Sequence, residues 1–348
     1  MADLRADPHT APVPADGDVD SGGGGGGGGV PPAAAFGAIV DSVRSVLFTE
    51  LSTARLAVGC LLAGGHLLVE DLPGVGKTTL AKALARSFGL DFHRVQCTAD
   101  LLPTDIVGAM VFDHDGNEPV FRPGPVFTNI LMADELNRAS TRAQSALLEA
   151  MEERQVSMDG TSHPLPDPFM VVATQNPYDA AGTSPLPHGQ RDRFLLRLSL
   201  GYPDPDDEDA LLARANRPAA VDAVRPAVSR VELSRLMDAV TAVHVSPSCR
   251  RYVGALAQAS RRHPSVAVGA SPRAAMALIR TASALAVADG RAFVTAGDIE
   301  TACESALAHR LQLSPEAEVS GVDPAGIVRE LLDLVPVPLG DEAPPDRD

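Results

Sequence analysis

The chain contains no tryptophan, and aromatic residues make up only 4% of its 348 positions. That scarcity argues against a stacking platform for single-stranded nucleic acid. Basic charge is also short: 29 Lys and Arg stand against 45 Asp and Glu, a formal net charge of −16. Residues 1–35 hold five Asp against Arg5 and the last eight hold four acids against Arg347, so the two ends carry −7 and the remainder −9. A nucleic-acid binder shows the opposite footprint, and no nucleic-acid partner is expected. The only cysteines, Cys60, Cys97, Cys249 and Cys303, are far apart and form no CxxC pair. They read as reduced thiols packed as small hydrophobes. No hydrophobic run is long enough to span a bilayer, since the most apolar stretch, Leu56 to Val69, is broken by Gly64, Gly65 and His66. Asp3, Arg5 and Asp7 precede a polar stretch unlike a secretory signal. These absences together point to the cytoplasm.

What remains is an ordinary globular composition, 45% hydrophobic, in a chain long enough for one large domain and a smaller one. Residues 1–33 are low in complexity and include the unbroken glycine run Gly22 to Gly29, which has nothing to bury and is expected to be a disordered tail. Residues 34–203 alternate. Helical stretches at Ala34–Leu47, Leu51–Ala63, Thr78–Phe88 and Ser140–Arg154 are interleaved with short apolar strands at His66–Glu70, Phe92–Gln96, Ile130–Ala133, Phe169–Ala173 and Phe194–Leu200. That alternation predicts an α/β domain with a parallel sheet. Residues 204–227, rich in Asp, Pro and Ala, read as a linker. Residues 228–321 show only helical periods. Ser271 is a good N-cap, Pro272 suits the first helical position, and Thr295-Ala-Gly-Asp298 reads as a capping box. Residues 322–348 are expected to hold a final helix and an acidic, Pro-containing tail.

The strongest chemical signal is Asp71-Leu-Pro-Gly-Val-Gly-Lys-Thr-Thr79, set between a strand and a helix as a phosphate-binding loop requires. Pro73, Gly74, Val75, Gly76, Lys77, Thr78 and Thr79 would cradle the phosphates of a nucleoside triphosphate. The glycines let backbone N–H groups turn inward, Lys77 reaches the terminal phosphates, and the Thr78 hydroxyl serves Mg²⁺. The generic pattern has Gly where this chain has Asp71. A second signal is the apolar strand ending in Asp134 and Glu135, the first suited to hold magnesium and the second to act as general base on the attacking water. A third strand ends in Thr174, Gln175 and Asn176; an amide there could hold the lytic water or the terminal phosphate, or simply begin an Asn-Pro turn.

Together these residues resemble the AAA+ ATPases, and within them the MoxR family. The resemblance runs from about Ala34 to Gly321. It is carried by Glu70-Asp-Leu-Pro-Gly-Val-Gly-Lys-Thr78, Asp100-Leu-Leu-Pro-Thr-Asp-Ile106, Phe121-Arg-Pro-Gly-Pro-Val-Phe127, Ala133-Asp-Glu-Leu-Asn-Arg-Ala139 and Gln144-Ser-Ala-Leu-Leu-Glu-Ala-Met151. Ala173-Thr-Gln-Asn-Pro177, Gly182-Thr-Ser-Pro-Leu-Pro187, Asp192-Arg-Phe194 and Ser271-Pro-Arg273 continue it. Within that family Asp71 is no anomaly. The resemblance implies a three-layer αβα P-loop domain followed by a small all-helical lid. It also implies ATP and Mg²⁺ as cofactors, Asn176 as the sensor-1 amide, Arg193 as an arginine finger directed at a neighbouring subunit, and Arg273 as the sensor-2 arginine. Val107–Arg122 and Gln155–Leu165 read as hairpins, with Asp115-Gly116 and Asp159-Gly160 at their tips. In related proteins such hairpins face the pore or the substrate, although plain surface hairpins fit the sequence equally well. The chain departs from the family at Phe48-Thr49-Glu50, beside the expected adenine position, and at His188-Gly189-Gln190-Arg191, which adds a positive charge beside Arg193.

The implied function is that of an ATP hydrolase working as a homo-oligomeric, most simply hexameric, ring. It would remodel or mature a client protein, including metal or cofactor insertion, together with a von Willebrand factor A domain partner. Two alternatives remain at this level: a magnesium-chelatase-like motor subunit, and a nucleotide-bound scaffold with little turnover.

Overall fold

A computed structural model describes residues 30–112, 119–177, 184, 186–213 and 220–338. The glycine run, the Asp115-Gly116 turn, Gly182 and Thr183, and the last ten residues lie outside the described residues.

Among the described residues, nine strands belong to the first domain: β1 (Leu67–Glu70), β2 (Phe92–Gln96), β3 (Gly108–Phe112), β4 (Pro119–Pro123), β5 (Ile130–Asp134), β6 (Gln155–Met158), β7 (Thr161–Pro164), β8 (Met170–Gln175) and β9 (Leu196–Leu198). Five of them form a sheet in the order β2-β5-β8-β1-β9, every pair parallel. Side chains alternate across it, and that period of two sorts the core into two halves. Leu67, Val69, Ile130, Met132, Met170, Val172, Leu196 and Leu198 face one layer, which holds helices Pro32–Arg44, Leu51–Leu62 and Lys77–Phe88. Leu68, Leu131, Ala133, Val171 and Ala173 face the other, built from Pro103–Val107 and Thr141–Glu153. The three-layer αβα expectation is met.

The first of these cores does not stop at the sheet. It continues through Leu233, Leu256, Leu278, Leu285, Ile299 and Leu331 of the C-terminal helices. The C-terminal helices therefore share apolar contacts with the sheet domain instead of hanging from a tether. These helices begin as expected: Ser271 Oγ accepts from the Ala274 N–H at 3.0 Å, and Thr295 and Asp298 form the reciprocal capping box. A neutral cap of this kind contributes about 1 kcal/mol.

One local reading needs correction. The C-terminal domain is not purely helical, because β10 (Val266–Val268) pairs antiparallel with β11 (Gln312–Leu313). Strands of three and two residues are too short to leave a period of two in the sequence. Within the stretch read as a linker, Pro205–Leu212 forms a helix, started by Asp204 Oδ1 accepting from the Asp207 N–H at 2.9 Å.

Both hairpins are present as β3–β4 and β6–β7. They touch: the Phe121 ring of β4 stacks on His163 of β7 with centroids 4.1 Å apart. Gly108 and Gly124 close the base of the first hairpin, where a Cβ on either would collide with backbone carbonyl oxygens of the opposing segment.

Candidate nucleotide site

Parallel strands place all their C-terminal ends on one edge, and the register brings the polar words of the sequence together there. Glu70 lies opposite Gln175, and Gln96 opposite Asp134. Ligands of open α/β sheets bind at this carboxyl edge.

The loop after β1 ends with Gly76 at φ +98°, a backbone state suited to glycine, and the helix Lys77–Phe88 starts directly behind it. A Cβ at Gly76 would meet Leu47 Cδ1 at 2.8 Å, so the segment before Phe48-Thr49-Glu50 packs against the phosphate loop. The first N–H groups of that helix lack intrahelical acceptors and make an anion cradle with its positive end. Lys77 Nζ donates to the Asp71 carbonyl at 2.6 Å and the Gln175 carbonyl at 3.2 Å. Burial pulls its pKa down, against the pull of Asp71, Asp134 and Glu135.

Asp71 accounts for its own departure from glycine. Its Oδ1 accepts from the Leu72 N–H at 2.8 Å. Its Oδ2 accepts from Ser199 Oγ at 2.9 Å and from the N–H groups of Leu200 and Gly201 at 2.6 and 2.9 Å. The carboxylate bolts the start of the phosphate loop to the exit of β9, where the chain leaves for the lid. Burial raises its pKa, but the Gly201 N–H, with Leu72, Ser199 and Leu200, outweighs this and holds the carboxyl below its usual range.

Asp134 and Glu135 are fixed by Thr174, which is fully buried on β8. Thr174 Oγ1 donates to Asp134 Oδ1 at 2.6 Å and accepts from the Glu135 N–H at 2.9 Å. Glu135 sits at φ 55°, ψ 49°, a left-handed state that costs a non-glycine residue roughly 1 kcal/mol. Its carboxylate meets Gln96 Nε2 at 3.2 Å and Arg138 Nε at 3.0 Å. Gln144 steadies the turn beyond, donating to the carbonyls of Leu136, Ala139 and Ser184. Asn176 directly follows β8 at the same edge, half-buried. The donor set fits magnesium: one hydroxyl, Thr78, and one carboxylate, Asp134, are hard oxygens that suit an ion also held by substrate phosphates.

Arg193 and Arg273 lie elsewhere. Arg193 Nε meets Glu152 Oε2 at 2.7 Å, and Arg273 Nη1 meets Glu152 Oε1 at 3.1 Å. This trio borders a cavity of about 280 Å³ with Gly64, Gly65 and His66, the residues that enter β1. It is therefore at the amino edge of the sheet. The four residues of β1 alone span roughly 13 Å between that edge and the phosphate loop. The Arg193 hydrogen bond, with the charge of Arg273, holds Glu152 below the usual carboxylate range. The segment before Arg193 is tied to the lid, because His188 Nε2 donates to the Arg310 carbonyl at 2.7 Å and Asp192 binds both Arg310 and Ser271 Oγ. His188 is thus a structural fastener. Glu152 and the tethering role of Asp71 carried no sequence signal.

A strand–loop–helix phosphate cradle, an aligned acid pair and a helical lid define a P-loop nucleoside-triphosphate-binding protein. The comparisons narrow this. Residues 66–196 match the model of the ATPase family associated with various cellular activities, and residues 258–331 match an AAA lid domain. The chain is 37% identical over 310 residues to Chaperone MoxR1 of Mycobacterium tuberculosis, covering 86% of this chain and 81% of that protein. It is 42% identical over 303 residues to the uncharacterised protein YeaC of Bacillus subtilis, covering 87% and 95% respectively. A crystal structure from Cytophaga hutchinsonii, described as a candidate ATPase, superposes with a TM-score of 0.81 at 34% identity, covering 88% of this chain and 96% of that one. The chain belongs to the MoxR family of AAA+ ATPases.

Proposed function

We propose that the chain binds ATP with Mg²⁺ at the carboxyl edge of its sheet and hydrolyses it in a homo-oligomeric, hexameric ring. The carrying observation is the division of charge between the two edges of the sheet. The phosphate loop, Asp134, Glu135 and Asn176 stand at one edge, while Arg193 and Arg273 are paired at the other. Arginines more than a strand's length from their own phosphate loop serve a nucleotide held by a neighbouring copy. In that assembly Lys77 and the loop N–H groups bind the phosphates, and Glu135 accepts a proton from the attacking water. Asn176 orients that water, and the neighbour's Arg193 and Arg273 offset charge developing on the phosphoryl oxygens. Magnesium, held by Thr78 and Asp134, would neutralise phosphate charge.

The movement is delivered to a client protein, in a chaperone-like remodelling or maturation step that includes metal or cofactor insertion, with a von Willebrand factor A domain partner in the cytoplasm. Support for this reading comes from the family and from the mycobacterial relative, which is named a chaperone. Among the described residues no helix is long and apolar enough to cross a membrane.

The test is phosphate release from mixed oligomers. Lys77→Ala and Arg193→Ala subunits should each be inactive alone, and mixing them should restore part of the activity, because intact loops then meet intact arginines. Mixtures that stay as inactive as either parent, despite co-assembly, would overturn the shared-site reading.

A further inference from the structure

The magnesium carboxylate is held from two sides by unlike partners. Thr174, fully buried, donates to Asp134 Oδ1 at 2.6 Å. On the other oxygen, Arg94 of the edge strand β2 donates from Nε at 3.1 Å and from Nη2 at 2.5 Å. Arg94 Nη2 also reaches Gln96 Oε1 at 2.9 Å, and Gln96 passes the contact on to Glu135. The register places Arg94 opposite Met132, two residues before Asp134 and on the same face of the sheet.

We propose that Arg94 is a positioning residue that tunes the magnesium site, acting as the resident counter-ion of Asp134. The inference rests on the reading of Asp134 as the magnesium aspartate. Thr174 by itself fixes the carboxylate's orientation, since it is buried and its hydroxyl is committed by also accepting from the Glu135 N–H. The distinct contribution of Arg94 is its charge. Arg138 already pairs with Glu135, and Lys77 lies in the field of both acids, but Arg94 is the cation that meets Asp134 directly; without it the Asp134 carboxylate would attract divalent metal more strongly whether or not nucleotide is present. With Arg94 on Oδ2, much of the carboxylate's field is already compensated. A divalent ion then gains enough only when the phosphates of a nucleotide add their own oxygens. The arrangement favours loading of magnesium together with ATP over loading of the bare metal.

The bridge is partly exposed, 47% at Arg94 and 13% at Asp134, so its influence is moderate and screened by salt. Binding of a fluorescent ATP analogue to the full-length protein, titrated with Mg²⁺, reads the effect without turnover. Arg94→Gln should lower the Mg²⁺ concentration for half-saturation by roughly three- to fivefold, and the shift should shrink at high salt. Arg94→Lys, which keeps the charge but loses the fork, should stay within about twofold of the parent protein. An Arg94→Gln protein that needs as much Mg²⁺ or more, or an Arg94→Lys protein that needs several times more, would show that the guanidinium serves only to orient or to brace the edge strand. A parent protein whose nucleotide binding ignores Mg²⁺ would overturn the magnesium reading itself, a different failure from an unshifted Arg94→Gln.

Discussion

Replacing Asp71 with Ala tests the tether between the phosphate loop and the lid exit. The carboxylate accepts four hydrogen bonds, and three of them reach across to residues 199–201. Asp71 is only 8% exposed and Leu200 is buried as well, so the Leu200 N–H loses its acceptor with little access to water. Charge-assisted hydrogen bonds contribute about 1.5–3 kcal/mol each, but Ser199 and Gly201 can turn partly to solvent, which leaves a net loss of about 3–4 kcal/mol. At about 2–4 °C per kcal/mol, Tm should fall by roughly 6–16 °C. Asp71→Asn keeps one acceptor oxygen and should lose less. The pH dependence follows from the sign of the shift. A carboxyl held below its usual range stabilises the fold above its unfolded pKa of about 3.9, and that contribution disappears as pH falls through the lower folded value. The gap between Asp71→Ala and the parent protein should therefore be constant near neutrality and narrow in acid. Thermal unfolding followed by circular dichroism, with a fluorescent ATP analogue to report on the loop, provides both readings. An Asp71→Ala protein that melts within about 2 °C of the parent would refute the tether.

Two further outcomes follow from buried polar contacts. Thr174→Val preserves shape but removes the hydroxyl joining Asp134 to the Glu135 N–H; phosphate release should drop by roughly tenfold or more while nucleotide still binds, and unchanged turnover would remove Thr174 from the site. His66 accepts from the Val171 N–H and donates to the Met151 carbonyl, and burial, aided by Arg154, pushes its pKa down to about 3. Its contribution is complete above its unfolded pKa, near 6.5, and is lost as pH falls toward 3. Urea unfolding between these limits should show up to about 1.4 kcal/mol per pH unit more slope than His66→Gln, and equal slopes would contradict a neutral His66.

The sequence by itself determined the parts whose information is local. A phosphate loop is a run of nine residues between a strand and a helix, and Gly76, Lys77 and Thr78 carry that meaning wherever they occur in such a context. The apolar strand running into Asp134 and Glu135, the Ser271 cap and the Thr295–Asp298 box are equally short-range, and the family words ordered them along the chain. Tertiary structure decided whatever depends on which strands become neighbours. Arg94 acquires its role only because β2 lies beside β5 in a register that sets it diagonal to Asp134. Glu152 meets Arg193 and Arg273 only because a helix end, a turn and the first residues of a lid helix converge at the amino edge of the sheet. Asp71 departs from the generic motif, and its physical role appears only where the exit of β9 brings three donors to its carboxylate. In each case the partners lie 40 to 130 residues apart, and no periodicity along a chain encodes a contact between side chains so far apart. The same reason separates the two halves of the candidate site. The residues were legible one by one, but only the fold showed that the cradle and the arginine pair stand on opposite edges of one sheet.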